Sequence, residues 1–125
     1  MLLLTQLQRQ RLLTNAQNRG DHVPVVKFFN PVGAATWLLS ELDGDGDTLF
    51  GLADLGFGCA ELGSVSLSEI ASLTLPFGLS IERDIHFEAS FSLTVYADAA
   101  RLIGRITEDE ARLEAAALAQ CENAQ

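Results

Sequence analysis

The clearest pattern of apolar and polar positions lies at 36–55, where two apolar runs of strand length flank an Asp-Gly-Asp-Gly-Asp turn at 43–47. Gly and Asp supply the positive φ angles that tight hairpin turns need. With Ser40 opposite Phe50, both faces of this hairpin are largely apolar, which is typical of a central hairpin covered on each side. The pattern therefore predicts a scaffold hairpin with the core residues Trp37, Leu39, Phe50 and Leu52.

The segments around the hairpin predict further elements. Apolar periodicity with capping signals predicts four helices, near 5–18, 67–75, 93–105 and 108–121. β-Branched and aromatic runs predict strands at 25–29 and 64–66. Strict alternation predicts a half-exposed strand over 79–88, on which Arg83 falls on the apolar face with Asp54 as a conceivable partner.

These elements predict an α+β fold in a single domain, 1–125, with a mainly antiparallel sheet of about four or five strands and packed helices. The folded body covers about 5–106. A capping box of Thr107 and Glu110 opens a C-terminal helical extension at 107–125. The apolar face of this extension is thin, so it is expected to lie loosely on the body.

The charge of the chain narrows the classes of partner. Lys and Arg number 8 against 17 Asp and Glu, which gives a net charge of −9. Such a surface repels bare nucleic acid and anionic membranes, so proteins or cations are the expected partners. The two cysteines, Cys59 and Cys121, are expected to be reduced thiols, and no run is apolar enough for a signal segment or a membrane span. The expected location is the cytoplasm.

The N-terminal segment departs from this acidity. It carries four cations within 1–27 and one carboxylate, Asp21. Charge asymmetry of this kind suggests an interaction surface, and nucleic-acid binding through it is one alternative. A solvated basic helix is the other reading. The cations are Arg9, Arg11, Arg19 and Lys27.

Four motifs occur in order along the chain: ATWLLSELD, LFGLADLG, ELGSVSLSE and LSIERDIHF. In these motifs the sequence resembles a domain-of-unknown-function family of small proteins from bacterial plasmids, phages and other mobile elements, often encoded near conjugation and antirestriction genes. The resemblance covers about 5–106. It implies a bacterial or phage cytoplasmic context, and it transfers no catalytic residue to this chain.

Two acidic segments are candidate cation sites. Asp43, Asp45 and Asp47 match the first positions of a calcium loop, although Thr48 stands where such a loop requires glycine, so a solvent-exposed hairpin turn is the simpler reading. On the predicted strand at 79–88, carboxylates and an imidazole recur at every second position and could converge on a divalent metal. A solvated strand face gives the same pattern. The members of this second set are Glu82, Asp84, His86 and Glu88.

A glycine-rich connection follows the hairpin and is a candidate loop or recognition groove. Its spacing does not fit a dinucleotide loop, and no basic residue is near enough to bind phosphate. Its cysteine, with His86 elsewhere, allows nucleophilic chemistry on paper, but the common hydrolase signatures are missing. The residues of this candidate site are Gly56, Gly58, Cys59, Glu61 and Gly63.

The leading hypothesis is a non-enzymatic protein-binding or accessory module of a mobile element, with anti-defence action or DNA mimicry as specific forms. Acidic side chains can occupy a DNA-binding groove by presenting phosphate-like charge. A small metal-dependent enzyme that uses His86 and its acidic neighbours is the first alternative. No cofactor is predicted beyond a divalent cation. The candidate acidic surface comprises Asp43, Asp45, Asp47, Glu82, Asp84 and Glu88.

Overall fold

A computed structural model describes residues 2–123 and gives a five-stranded antiparallel sheet of order β4-β3-β2-β1-β5. The strands are β1 (Val26–Phe29), β2 (Thr36–Leu42), β3 (Thr48–Asp54), β4 (Glu61–Ser66) and β5 (Glu82–Arg83). The helices are α1 (Gln6–Gln17), α2 (Leu67–Ser72), α3 (Leu93–Ile103) and α4 (Glu110–Asn123). The predicted α+β fold and central hairpin are confirmed. In the described part of the chain no helix is long and apolar enough to cross a membrane.

The sheet separates two apolar cores. One face packs against α1, α2 and the segment before α1, with Leu12, Phe28 and Leu39 fully buried between them. The other face packs against α3 and α4 through Leu38, Leu52 and several alanines of α3. The central hairpin is therefore covered on both faces, as its apolar pattern predicts.

The register of the hairpin follows the prediction up to Leu39, with Leu38 opposite Leu52 and Leu39 opposite Gly51. The predicted pairing of Ser40 with Phe50 is wrong, because a bulge at Ser40 places Glu41 opposite Phe50. Beyond Leu39, β2 has no partner in β1, and the Asn15 side chain of α1 donates a hydrogen bond of 2.9 Å to the Ser40 carbonyl. At the bulge a helix side chain thus supplies the hydrogen bond that a neighbouring strand would otherwise supply.

The long strand predicted over 79–88 is wrong, since only Glu82 and Arg83 pair with β1. The strand ends because the Asp84 side chain accepts a hydrogen bond from the His86 N–H and turns the backbone. The predicted partner of Arg83 is also wrong. Its guanidinium donates to the carbonyls of Leu2 and Leu3, at 3.2 and 3.0 Å, and so fixes the segment before α1.

The C-terminal helix begins later than predicted. Asp109, and not Thr107, caps it, because the Asp109 carboxylate accepts a hydrogen bond of 3.1 Å from the Arg112 N–H. Leu113 and Ala116 are buried against α3, so α4 is packed on the body and does not lie loosely on it.

Candidate protein-interaction surface

The connection between β3 and β4 is shorter than the sequence suggests. Its residues are 55–60, while Glu61 and Gly63 belong to β4 and not to the loop. The loop turns two large apolar side chains to solvent, with Leu55 54% and Phe57 83% exposed. An exposed phenylalanine leaves a large apolar area in water, and contact with a partner would bury that area.

The loop is held in place by the buried carboxylate of Asp54, which is only 4% exposed. One of its oxygens accepts a hydrogen bond of 2.9 Å from the Gly56 N–H, and the other accepts one of 3.0 Å from the Ile106 N–H. Hydrogen bonds to an ionised acceptor are roughly twice as strong as neutral ones. A single side chain thus ties the loop to the segment between α3 and α4.

The positive φ angles that this turn requires occur at the glycines on both sides of Phe57. Gly56 and Gly58 have φ values of 92° and 84°, which favour glycine, and Phe57 does not lie in this region. A Cβ on Gly56 would lie 2.9 Å from the Ala34 Cβ, so the β1–β2 connection also closes on the loop. The conformation that exposes Phe57 is therefore built into three neighbouring segments.

A cavity of about 400 Å³ opens beside this loop, at the end of the sheet where β2 begins and β3 ends. We call the exposed apolar residues of the loop, Leu55 and Phe57, the Phe57 surface. The cavity is lined by Ala34, Thr36, Asp54, Gly56, Gly58, Gly104, Arg105 and Ile106. The Asp54 carboxylate in this lining already accepts hydrogen bonds from two backbone N–H groups. What the region presents to a ligand is therefore a concave surface beside exposed apolar side chains.

Two of the three aspartates in the hairpin turn, Asp45 and Asp47, accept hydrogen bonds from neighbouring parts of the protein. Asp45 accepts hydrogen bonds from the backbone N–H groups of Thr48 and Asp47, and from the Thr48 hydroxyl, and these bonds lower its pKa. The Ser66 hydroxyl and the Ser68 N–H bind Asp47 and lower its pKa in the same way. Their oxygens are thus directed at the protein, which agrees with the hairpin-turn reading.

The predicted metal ligands Glu82, Asp84 and His86 do not form a ligand set. Within residues 2–123 no three His, Cys, Asp or Glu side chains are grouped to hold a metal ion. Glu82, Asp84 and His86 line one groove, but β5 ends at Arg83, so the strict alternation on which the prediction rests stops there. His86 lines a different groove, of about 460 Å³, and shares none of it with the glycine loop.

The predicted acidic surface falls into two groups. Asp43, Asp45 and Asp47 lie at the turn between β2 and β3, whereas Glu82 lies in β5, and β1 separates β5 from that hairpin. Asp84 and Glu88 follow β5 along the chain. The six carboxylates therefore do not form one continuous row of charge.

Several N-terminal cations contact the protein itself. Arg19 donates to Glu41 at 2.9 Å and to Asp43, and the Glu41 side chain is only 4% exposed. Lys27 pairs with Glu108 at 2.6 Å and with Asp84 at 3.5 Å. Among the described residues, these pairs neutralise half of the cations that a nucleic-acid surface would use.

Sequence reasoning identified the glycine loop but missed Phe57 as its exposed aromatic residue. The available signal was a phenylalanine between two glycines, because glycines on both sides allow a turn that places the side chain in solvent.

Comparisons with curated proteins and with solved structures give no match. Residues 3–107 match the model of a family described as "Protein of unknown function (DUF2958)". This confirms the resemblance to a domain-of-unknown-function family, and the match covers most of the chain. The chain therefore belongs to this family of proteins of unknown function.

Proposed function

We propose that this protein is a non-enzymatic protein-binding accessory module that contacts its partner through the Phe57 surface. The observation that carries the proposal is the loop that holds Phe57 83% exposed above a buried anchor, Asp54. Aromatic side chains dominate binding energy at protein interfaces, and a rigid aromatic loses little conformational entropy on binding. Binding of a partner would bury the Phe57 side chain and recover the free energy that its exposure to water forgoes.

The partner has a pocket for an apolar side chain, surrounded by basic groups. The net charge of −9 attracts a basic partner over long distances and speeds its approach, while the apolar contacts supply the affinity. The family resemblance of the sequence motifs adds a setting, the cytoplasm of a bacterium that carries a plasmid or phage. Action against host defence is one form that such an accessory role takes.

DNA mimicry, a specific form of the leading hypothesis, and the alternative of nucleic-acid binding have less support. DNA mimicry needs a continuous row of carboxylates, whereas the six candidates lie in two groups. Nucleic-acid binding needs free cations, whereas Arg19 and Lys27 are paired with carboxylates. The Phe57 surface requires neither arrangement.

The test is a photo-crosslinking experiment in bacterial lysate that compares the unchanged protein with Phe57→Ala. The matched control is Phe77→Ala, because Phe77 is also a nearly fully exposed phenylalanine, 91% exposed, and lies in another turn. We expect a discrete set of crosslinked proteins with the unchanged protein and with Phe77→Ala. With Phe57→Ala the same bands should weaken by roughly tenfold or more, as for an interface hot spot.

Both variants must remain as stable as the unchanged protein in urea, so that lost crosslinks report binding and not unfolding. The proposal is contradicted if the Phe57→Ala protein captures the same proteins in the same amounts. It is also contradicted if both phenylalanine variants lose the bands equally, since a specific site cannot then be assigned to the loop.

A further inference from the structure

A second surface, separate from the Phe57 surface, lies along the free edge of the sheet. β4 pairs with β3 on one side and is the last strand of the sheet on the other. Six residues long, it is a full-length edge strand, whereas β5 at the opposite edge has two residues. A free edge of this length presents backbone groups that can pair with another strand.

The direction of these backbone groups follows from the ladder. The Leu67 N–H donates a hydrogen bond of 2.8 Å to the Asp47 carbonyl, and hydrogen-bonded and non-bonded pairs alternate along an antiparallel ladder. Glu61, Gly63 and Val65 therefore direct their N–H and C=O groups toward β3. Leu62 and Ser64 direct theirs outward, where no backbone partner meets them within residues 2–123.

The edge lacks the features that prevent strand pairing. Its register with β3 is regular, without a bulge, and it contains neither proline nor a basic side chain. At Gly63 a Cβ would meet nothing within 4 Å, so the face of the sheet above this residue is open. Natural proteins usually protect an edge with charges, proline or a bulge, and here the charge is limited to Glu61 at the beginning of the strand.

An apolar groove of about 380 Å³ runs between β4 and α2. Its apolar lining is Trp37, Val65, Ile70 and Leu73. Side chains of a strand added at the edge alternate between the two faces of the sheet, so those opposite Gly63 and Val65 point to the face of this groove. The hydrogen-bonding edge and the groove would thus bind the backbone and the side chains of the same extended segment.

The charged residues near the groove are acidic and favour a basic binding segment. Glu61 lies at one end of β4, and Glu69 lines the groove near the other end. Two copies of a chain with net charge −9 repel each other, which disfavours pairing of one β4 with another. A segment with Lys or Arg on both sides of an apolar residue is complementary to this edge.

We propose that β4 is a strand-addition site that binds an extended, basic segment of a partner protein, with one apolar side chain of the segment in the groove. This mode takes its affinity from main-chain hydrogen bonds and its specificity from the side-chain pocket. The site does not depend on the Phe57 surface, so either can fail without the other.

The test uses labelled synthetic peptides with the sequence Lys-Lys-Thr-Xaa-Thr-Val-Thr-Lys-Lys, in which Xaa is Val, Leu or Phe. Binding is followed by fluorescence anisotropy and by the emission of Trp37, the single tryptophan of the chain, which lines the groove. We expect saturable binding of at least one peptide, with slowed amide exchange at Leu62 and Ser64. The Ser64→Pro variant should bind roughly tenfold more weakly, because it removes an outward N–H, whereas Ser64→Ala keeps that N–H and should bind as before.

A peptide that is N-methylated at its central residues tests the same hydrogen bonds without a change in the protein. Because N-methylation removes backbone N–H donors of the peptide, it should bind roughly tenfold more weakly. Unchanged binding of the peptides by Phe57→Ala separates this site from the Phe57 surface. The proposal is overturned if no peptide binds at millimolar concentration, or if the N-methylated peptide binds equally well. It is also overturned if sedimentation shows a dimer that Ser64→Pro converts to a monomer, since the occupant is then a second copy.

Discussion

The Phe57 loop, residues 55–60, and the turn at Pro76–Gly78 both present a phenylalanine to solvent, but they place the backbone strain on different residues. Around Phe57 the positive φ values belong to the glycines on either side. In the second turn Phe77 itself has a φ of 65° and a ψ of 21°, in the left-handed region that bulky side chains rarely adopt.

The two turns also differ in what holds them. The Phe57 loop is fixed by the buried Asp54 carboxylate, which binds two backbone N–H groups. The second turn is closed by its own backbone, through a hydrogen bond of 2.9 Å from the Leu75 N–H to the Leu79 carbonyl. Exposure alone therefore does not identify an interaction site. A dedicated anchor beneath an exposed aromatic is the stronger sign of a site built for contact.

The largest change in stability is expected from substitutions of Asp54, the residue that holds the Phe57 loop. Asp54→Ala removes both acceptors of a buried carboxylate and leaves the Gly56 and Ile106 N–H groups unpaired, so we expect the free energy of unfolding to fall by about 3 kcal/mol. Asp54→Asn keeps one acceptor oxygen and nearly the same volume, and should lose about half as much. Urea unfolding measures both.

Amide exchange distinguishes a local effect from a global one. In Asp54→Asn, exchange should become faster at Gly56 or Ile106 before it changes in the central strands. Equal stability of all three proteins would mean that Asp54 is not the anchor, and the contrast between the two turns would then disappear.

Much of the fold follows from local patterns. At the start of α1 the capping signal is a box of Thr5 and Gln8, three positions apart in the sequence, and Gly104 ends α3 in the left-handed conformation. The failures have two different causes. The bulge at Ser40 depends on Asn15 of a packed helix, whereas the strand predicted at 79–88 ends where the Asp84 side chain turns the backbone.

The candidate site was only partly predictable, because it also depends on a contact between distant parts of the chain. Gly56 and Gly58 mark the loop in the sequence because glycine punctuates local structure. The bond from Ile106 to Asp54 joins residues 52 positions apart, and no local pattern reveals it. The sequence suggests Asp54 as a partner of Arg83, because a buried charge needs a compensating group and the sequence does not show that backbone N–H groups supply it.

Substitutions of the two loop glycines, Gly56 and Gly58, are expected to have intermediate effects on stability. Gly56→Ala adds a side chain at a positive φ and 2.9 Å from the Ala34 Cβ, so we expect a loss of about 2 kcal/mol in the free energy of unfolding. Gly58→Ala has the same backbone strain with nothing within 4 Å, and should lose about 1 kcal/mol. Thermal unfolding of the two variants compares them directly. Equal losses would show that the β1–β2 connection does not close on the loop.

The smallest effect is a gain in stability. Phe77→Asn replaces a strained, exposed phenylalanine by a residue that tolerates the left-handed region, so we expect the free energy of unfolding to rise by about 0.5–1 kcal/mol. The matched change, Phe57→Asn, relieves no strain and buries nothing, so the stability should stay within about 0.5 kcal/mol while partner capture is lost. Urea unfolding of the pair measures both changes. A gain of stability in Phe57→Asn, or a loss in Phe77→Asn, would mean that the strain does not lie where the backbone angles place it.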